Sequence, residues 1–247
     1  MNEYNFNAHL IKKLINKYGG SERKETIVLD DGYEYLLKLP DPTREKKRML
    51  SYINNTVSEY IGCKIMEQLK FSVQKVILGE YITISSKGEE QKYIACACRN
   101  IEGVGNSLAE AERTTLGSDE NTRTGVLPSF ETIKEIAKYT PDISLDEIEK
   151  FYAQMFIGDA FIGNRDRHNG NWGFLTGIKD SQIAPIYDCG SSLCPMYDDT
   201  QLTDTVARNE ANNGLSVIKD NKGKQIVYKD FLFEAKNENV NHALKTI

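Results

Sequence analysis

Residues 162–173 read Ile162-Gly163-Asn164-Arg165-Asp166-Arg167-His168-Asn169-Gly170-Asn171-Trp172-Gly173, a polar, glycine-broken stretch with apolar sequence on both sides. A stretch of that kind is a loop held between buried elements. Asp166 and Asn171 have the spacing at which a phosphoryl-transfer loop offers a carboxylate to an acceptor hydroxyl and an amide oxygen to magnesium. Taken singly, Asp166, His168 and Asn171 are each open to a plainer reading as turn caps. Their order and spacing together carry the chemistry.

Downstream, residues 183–188 form an apolar strand that ends in the carboxylate of Asp188, with Cys189-Gly190 directly after it. Magnesium takes oxygen ligands and needs only one or two from the protein when phosphates supply others, so Asn171 and Asp188 make a sufficient pair. Asp188 alone could equally cap whatever follows.

Upstream, Ile148, Phe151, Tyr152, Met155 and Phe156 give residues 145–162 a helical period, announced by Ser144-x-x-Glu147. Residues 129–139 form a second helix by the same pattern. Residues 99–127 have no aromatic residue and many Gly, Ser, Thr, Glu and Asn, which reads as a linker or mobile loop. Before it come a hairpin over residues 25–39 around Asp30-Asp31-Gly32 and a helix over 56–69 with Val57, Ile61, Ile65 and Leu69 on one face. Strands over 75–84 and 92–98 follow, joined through Ser85-Ser86-Lys87-Gly88. The expected chain is α+β, with a β-rich part over residues 1–98 and a mostly helical part over 99–247.

A chain of 247 residues can bury a substantial core as one large domain or two lobes. Its 40% hydrophobic and 27% charged content excludes disorder, and a net charge of −5 supplies no basic face for nucleic acid. Residues 1–17 lack a signal-peptide core and no apolar run spans a bilayer, so synthesis in the cytoplasm without membrane insertion is expected. Five cysteines without C-x-x-C spacing read as buried hydrophobes. Three histidines, His9, His168 and His242, argue against a multi-histidine metal site.

Asp166-x-His168-x-x-Asn171, followed by Tyr187-Asp188, resembles the catalytic region of the HipA-like Ser/Thr kinases, which share the bilobal protein-kinase-like fold. Phosphatidylinositol kinases have a similar loop, but the phrases from Gly163 to Gly173 and Ile186-Tyr187-Asp188 point to the bacterial group. Gly19-Gly20-Ser21-Glu22-Arg23-Lys24 and Tyr35-Leu36-Leu37-Lys38-Leu39-Pro40 resemble that family's phosphate-side loop and lysine strand. Backbone N–H groups of a Gly-rich turn suit phosphate oxygens. The same glycines could instead end a first helix at Tyr18. Lys38, in an apolar strand, needs an anion to offset desolvation. ATP phosphates and Glu59 can supply it, while Thr56-x-x-Glu59 also fits a capping box.

The resemblance implies ATP and Mg2+ as cofactors and a bilobal fold, a β-rich N-lobe with one main helix and a mostly helical C-lobe. It places Gly19, Gly20, Ser21, Lys24 and Lys38 at the phosphates, Glu59 against Lys38, and adenine between the lobes at the backbone of Ala97 and Cys98. Asp166, His168 and Lys38 become catalytic residues, and Asn171 and Asp188 metal ligands. HipA toxins carry an extra N-terminal subdomain that helps dock a DNA-binding antitoxin, and this sequence starts almost at the kinase core, which argues against an antitoxin partner. Asn16, Lys17 and Tyr18 stand where family members carry a silencing serine. The compact size resembles the stand-alone kinases of the CtkA type, exported bacterial effectors that act on host cells. A Ser/Thr protein kinase that also autophosphorylates is the implied activity; the rivals are a phosphoinositide kinase and an inactive ATP-binding scaffold. Ser191, Ser192, Tyr197, Thr200, Thr203 and Thr205 suggest a movable activation loop, with Arg165 and Arg167 as partners for a phosphate on it.

Overall fold

The structure is a computed structural model and describes residues 4–15, 23–40, 53–85, 87–103, 105–115, 130–177, 180–197, 200–219, 224–234 and 241–242. Its chain groups into two units, one of residues 1–64, 74–100 and 189–203, the other of residues 65–73, 101–188 and 204–247.

The first unit carries β1 (Tyr4–Asn5), α1 (Phe6–His9), β2 (Leu10–Leu14), β3 (Lys24–Leu29), β4 (Glu34–Lys38), most of α2 (Asn55–Gln68), β5 (Val76–Ile84) and β6 (Glu90–Arg99). The strands form one six-stranded sheet in the order β1-β5-β6-β4-β3-β2. The expected hairpin is β3 and β4, closed by Asp30-Asp31-Gly32, where Gly32 takes φ +80° and Asp31 Oδ1 accepts the Tyr33 N–H at 3.0 Å. Alternation along β4 sends Tyr35 and Leu37 to one face, where they pack with Phe6, Ile27, Leu29, Leu39, Tyr81, Ala95 and Ala97 as an apolar core. Leu36 and Lys38 take the other face, opposite Cys98 and Cys96 of β6. Gly79 lets β1 lie against β5, since a Cβ there would sit 2.3 Å from the Tyr4 carbonyl oxygen.

Three expectations change in this unit and at its border. Residues 10–14 are strand β2, paired with β3, and not the body of a first helix; Tyr18 lies outside the described residues. The Thr56–Glu59 capping box does not form, because α2 starts one residue earlier and the Thr56 hydroxyl donates to the Ile94 carbonyl at 3.1 Å. Residues 99–127 are not all linker: within them lie β7 (Ser107–Glu110) and α3 (Ala111–Thr115) of the second unit, while residues 116–127 fall outside the described ones.

The second unit continues with α4 (Phe130–Ala137), α5 (Leu145–Ile162), β8 (Gly173–Thr176), β9 (Ser181–Ile183), α6 (Asp204–Asn213), β10 (Leu215–Lys219), β11 (Gln225–Val227) and α7 (Tyr228–Glu234). Helix α5 begins at the expected capping box and ends at Gly163, whose φ of +65° is the left-handed conformation that stops a helix. It buries Ile148, Tyr152, Met155, Phe156 and Ile162, and its Gly158 lies against Met66 and Phe71, where a side chain would push the Met66 thioether aside. Strand β8 pairs with β7 on one side and β9 on the other.

Ser144→Ala, which empties the box at the start of α5, is expected to lower the melting temperature by a few degrees, the size of a lost helix cap. The Ser144 hydroxyl first, and its backbone N–H second, hold the Glu147 carboxyl below its ordinary range. A depressed carboxyl stabilises in full above its unfolded value and loses that contribution as pH falls through the folded one. Melting curves should therefore show parent and variant converging in acid.

Candidate active site

In the first unit, Lys38 and Glu59 form a buried ion pair. Lys38 Nζ donates to Glu59 Oε2 at 2.8 Å, with the side chains 8% and 0% exposed. Strand β4 aims the lysine off the core face, and Glu59 lies within α2, so the rival capping role is excluded by its partner as well as by its place. The Cys63 thiol, one turn on, lies 3.8 Å from Glu59 Oε1. A hydrogen bond with Cys189, then burial, then the nearby Glu59 charge raise the Cys63 pKa; Cys98 is raised likewise by a bond with Cys96 and by burial. These thiols stay protonated and serve as packing. Among the five cysteines only Cys194 is partly exposed, and none forms a disulfide.

Of the other positions expected near ATP, Gly19, Gly20 and Ser21 lie outside the described residues, and Lys24 stands opposite Lys38 across the hairpin. Cys98 shares the Lys38 face. Ala97 does not: it points into the apolar core. Both belong to an interior strand paired with β4 and β5, so their backbone groups serve the ladder rather than standing open to a ligand. The first backbone past that ladder is residues 101–103.

The second unit holds the 164–171 loop. Its shape follows from a buried network rooted in α5. Asp159, 1% exposed, accepts from Arg167 Nε at 2.9 Å, Arg167 Nη2 at 3.1 Å and Asn164 Nδ2 at 2.9 Å. Arg167 Nη1 also donates to the Asn171 carbonyl at 2.6 Å and to the Tyr187 carbonyl. Asn164 Oδ1 accepts the Asp166 N–H at 3.1 Å, and the Tyr228 hydroxyl donates to the Asn164 carbonyl at 2.7 Å. From α3 the Glu112 N–H donates to the Asn169 carbonyl at 2.9 Å, and the single tryptophan, Trp172, donates through Nε1 to Asn169 Oδ1 at 3.0 Å.

On this frame Asp166 is exposed. Its carbonyl accepts from Asn171 Nδ2 at 2.7 Å and from the His168 N–H at 2.9 Å. The Asn171 amide is thereby oriented, nitrogen toward Asp166 and oxygen turned away. His168 Nδ1 accepts the Gly170 N–H at 3.0 Å, which assigns the proton of a neutral ring to Nε2 and gives the imidazole a bracing role inside the turn. Asp188 has φ +58°, a left-handed conformation that aspartate tolerates better than most residues and that collects at functional sites. The Tyr187 hydroxyl donates to the Gly170 carbonyl at 3.2 Å, and burial first, then the Glu110 carboxylate, raise its pKa. An amide oxygen and a carboxylate are hard donors that fit a magnesium-type cation completed by phosphate oxygens.

Sequence reasoning missed Asp159, Asn164, Glu112 and Tyr228. For Asp159 a signal was present, as the single charge in the apolar stretch 151–162. The reading of Arg167 as a receiver of an activation-loop phosphate is overturned. Arg167 is 3% exposed and committed to Asp159, and Arg165 pairs with Glu210. Ser192, a suggested acceptor on that loop, is fully buried with its hydroxyl donating to the Cys189 carbonyl at 2.5 Å. Asn54, just before α2, donates from N to the Pro195 carbonyl at 3.1 Å and from Nδ2 to the Tyr197 carbonyl at 2.9 Å, so the segment is tied down there.

No protein-family model matches the chain. Serine/threonine-protein kinase CtkA of Helicobacter pylori strain J99 is 32% identical, with 93% of this chain and 70% of CtkA covered. The crystal structure of the Helicobacter pylori proinflammatory kinase CtkA matches with a TM-score of 0.75 at 29% identity, over 92% of this chain and 78% of that one. HipA of Shewanella oneidensis MR-1, solved with HipB and operator DNA, gives a TM-score of 0.41 at 13% identity over 86% of this chain and 52% of that one, too low to carry an argument.

Proposed function

Because the chain belongs to the CtkA family of serine/threonine-protein kinases and has its kinase-like α+β fold, we propose that it moves the γ-phosphate of ATP to serine or threonine hydroxyls of a protein with magnesium as the metal. ATP and metal use and a protein substrate come with the family. The observation that carries the finer reading is the bond from Asn171 Nδ2 to the Asp166 carbonyl, which sets a carboxylate and an oriented amide oxygen on one short loop.

Asp166 orients the acceptor hydroxyl and receives its proton as the oxygen attacks. Asn171 Oδ1 and the Asp188 carboxylate hold the metal, which when bound offsets charge on the β- and γ-phosphates. Lys38, its ammonium neutralised and aimed by Glu59, binds the α- and β-phosphates; Lys24, Gly19, Gly20 and Ser21 assist there. His168 braces the loop and does not touch the reacting atoms. Adenine contacts fall to residues 101–103 rather than to Ala97 and Cys98. The lobe division lies between residues 98 and 99, self-phosphorylation accompanies substrate phosphorylation, and the acceptor is a host protein reached after export. The proinflammatory description of CtkA supports the host reading. No helix among the described residues is long and apolar enough to cross a membrane.

The test is labelled ATP and Mg2+ with the purified protein, a general protein acceptor, and vesicles containing phosphoinositides. Label in protein serine and threonine is the expected result. Label confined to lipid, or none at all, sinks the reading.

A further inference from the structure

The strands β8 and β9 pair in register at Phe174 and Ile183, and the pairing continues to the bond from the Ala184 N–H to the Gly173 carbonyl at 2.9 Å. Beyond it the two chains part. Ile186 donates its N–H to the Ser72 carbonyl at 2.8 Å and bridges to Val73, away from β8. Asn171 and Asp188 both lie past the last rung, so the ladder leaves their separation open.

We infer that the buried Asp159–Arg167 pair is the positioning element of the metal site, one guanidinium nitrogen setting the separation of Asn171 and Asp188 by holding the carbonyls of Asn171 and Tyr187 together. The Tyr187 carbonyl belongs to the peptide plane that enters Asp188. The carbonyl of Asn171 fixes the backbone whose side chain is already turned by Asp166. Only a forked cation does both tasks: Nε and Nη2 lie along the carboxylate while Nη1 points the other way, whereas lysine brings a single nitrogen.

Stability alone does not account for the pair. A buried ion pair roughly breaks even against an apolar replacement, because desolvation offsets attraction. The Tyr187 hydroxyl on the Gly170 carbonyl, at 3.2 Å, is a second and longer tie between the same segments. It reaches the Gly170 carbonyl, one residue before Asn171, through the Tyr187 side chain, whereas Arg167 holds the Tyr187 backbone that enters Asp188.

The inference rests on the metal assignment above, and the experiment separates the two. Mn2+ affinity is measured by electron paramagnetic resonance of the free ion with saturating ADP, and ADP affinity by calorimetry in EDTA. Emission of Trp172, next to Asn171, reports the loop. Arg167→Lys is expected to weaken Mn2+ binding by ~10- to 100-fold, the usual loss when a residue that orients a metal ligand is removed. ADP binding in EDTA should stay at the parental value, and the Trp172 response to Mn2+ should shift to the higher metal concentration. Asp159→Asn, which keeps the shape of the pair, is the second variant if Arg167→Lys does not fold. A folded variant that melts lower yet binds Mn2+ as the parent does would show a mere brace and overturn the inference alone. A parent whose ADP binding ignores Mn2+ overturns the metal assignment and this inference with it.

Discussion

Asp166→Asn is expected to lower turnover by ~10²- to 10⁴-fold, the share a positioned proton acceptor contributes. Its ATP affinity should be unchanged, since the carboxylate acts on the acceptor hydroxyl and not on the nucleotide. The substitution keeps three bonds that shape the loop, because they use the Asp166 backbone: the N–H to Asn164 Oδ1, and the carbonyl accepting from Asn171 Nδ2 and the His168 N–H. Initial rates on a protein acceptor, with calorimetry of ATP binding, check both halves. Turnover within a few-fold of the parent removes Asp166 from the mechanism.

The second large effect falls on stability. Glu59→Ala takes the carboxylate away from the Lys38 ammonium in a site where that side chain is only 8% exposed, and breaking a buried pair from one side costs ~3–5 kcal/mol. Combining Lys38→Met with Glu59→Leu removes both charges, and should regain most of that loss without regaining activity. Denaturant titrations of the three proteins give the comparison. A Glu59→Ala protein of parental stability would show that the pair is hydrated in solution.

What could be read from the sequence was whatever depends on neighbours along the chain. The Asp-Gly turn, the box at Ser144 and the period of residues 145–162 are local signals, and each marks an element that forms. Lys38 and Glu59 were legible as a pair only as one of two choices, since a capping box and a cross-element ion pair use the same glutamate. Strand β7 was hidden because Ser107–Glu110 is short and lacks alternation, and gains its ladder from β8 far along the chain. The face of Ala97 depends on register, and one step in register reverses every side chain. Arg167 looked like surface because it sits among polar residues. Its burial comes from the helix beneath it, at Asp159, which the sequence separates by one loop.

Asp159 also ends α5. Its backbone carbonyl accepts the N–H groups of both Gly163 and Asn164, while its carboxylate holds Asn164 and Arg167. Termination of the helix and shape of the loop are therefore one event in folding. The 164–171 loop is expected to open together with α5, so that the buried amides of the two segments lose protection from hydrogen exchange at the same denaturant concentration.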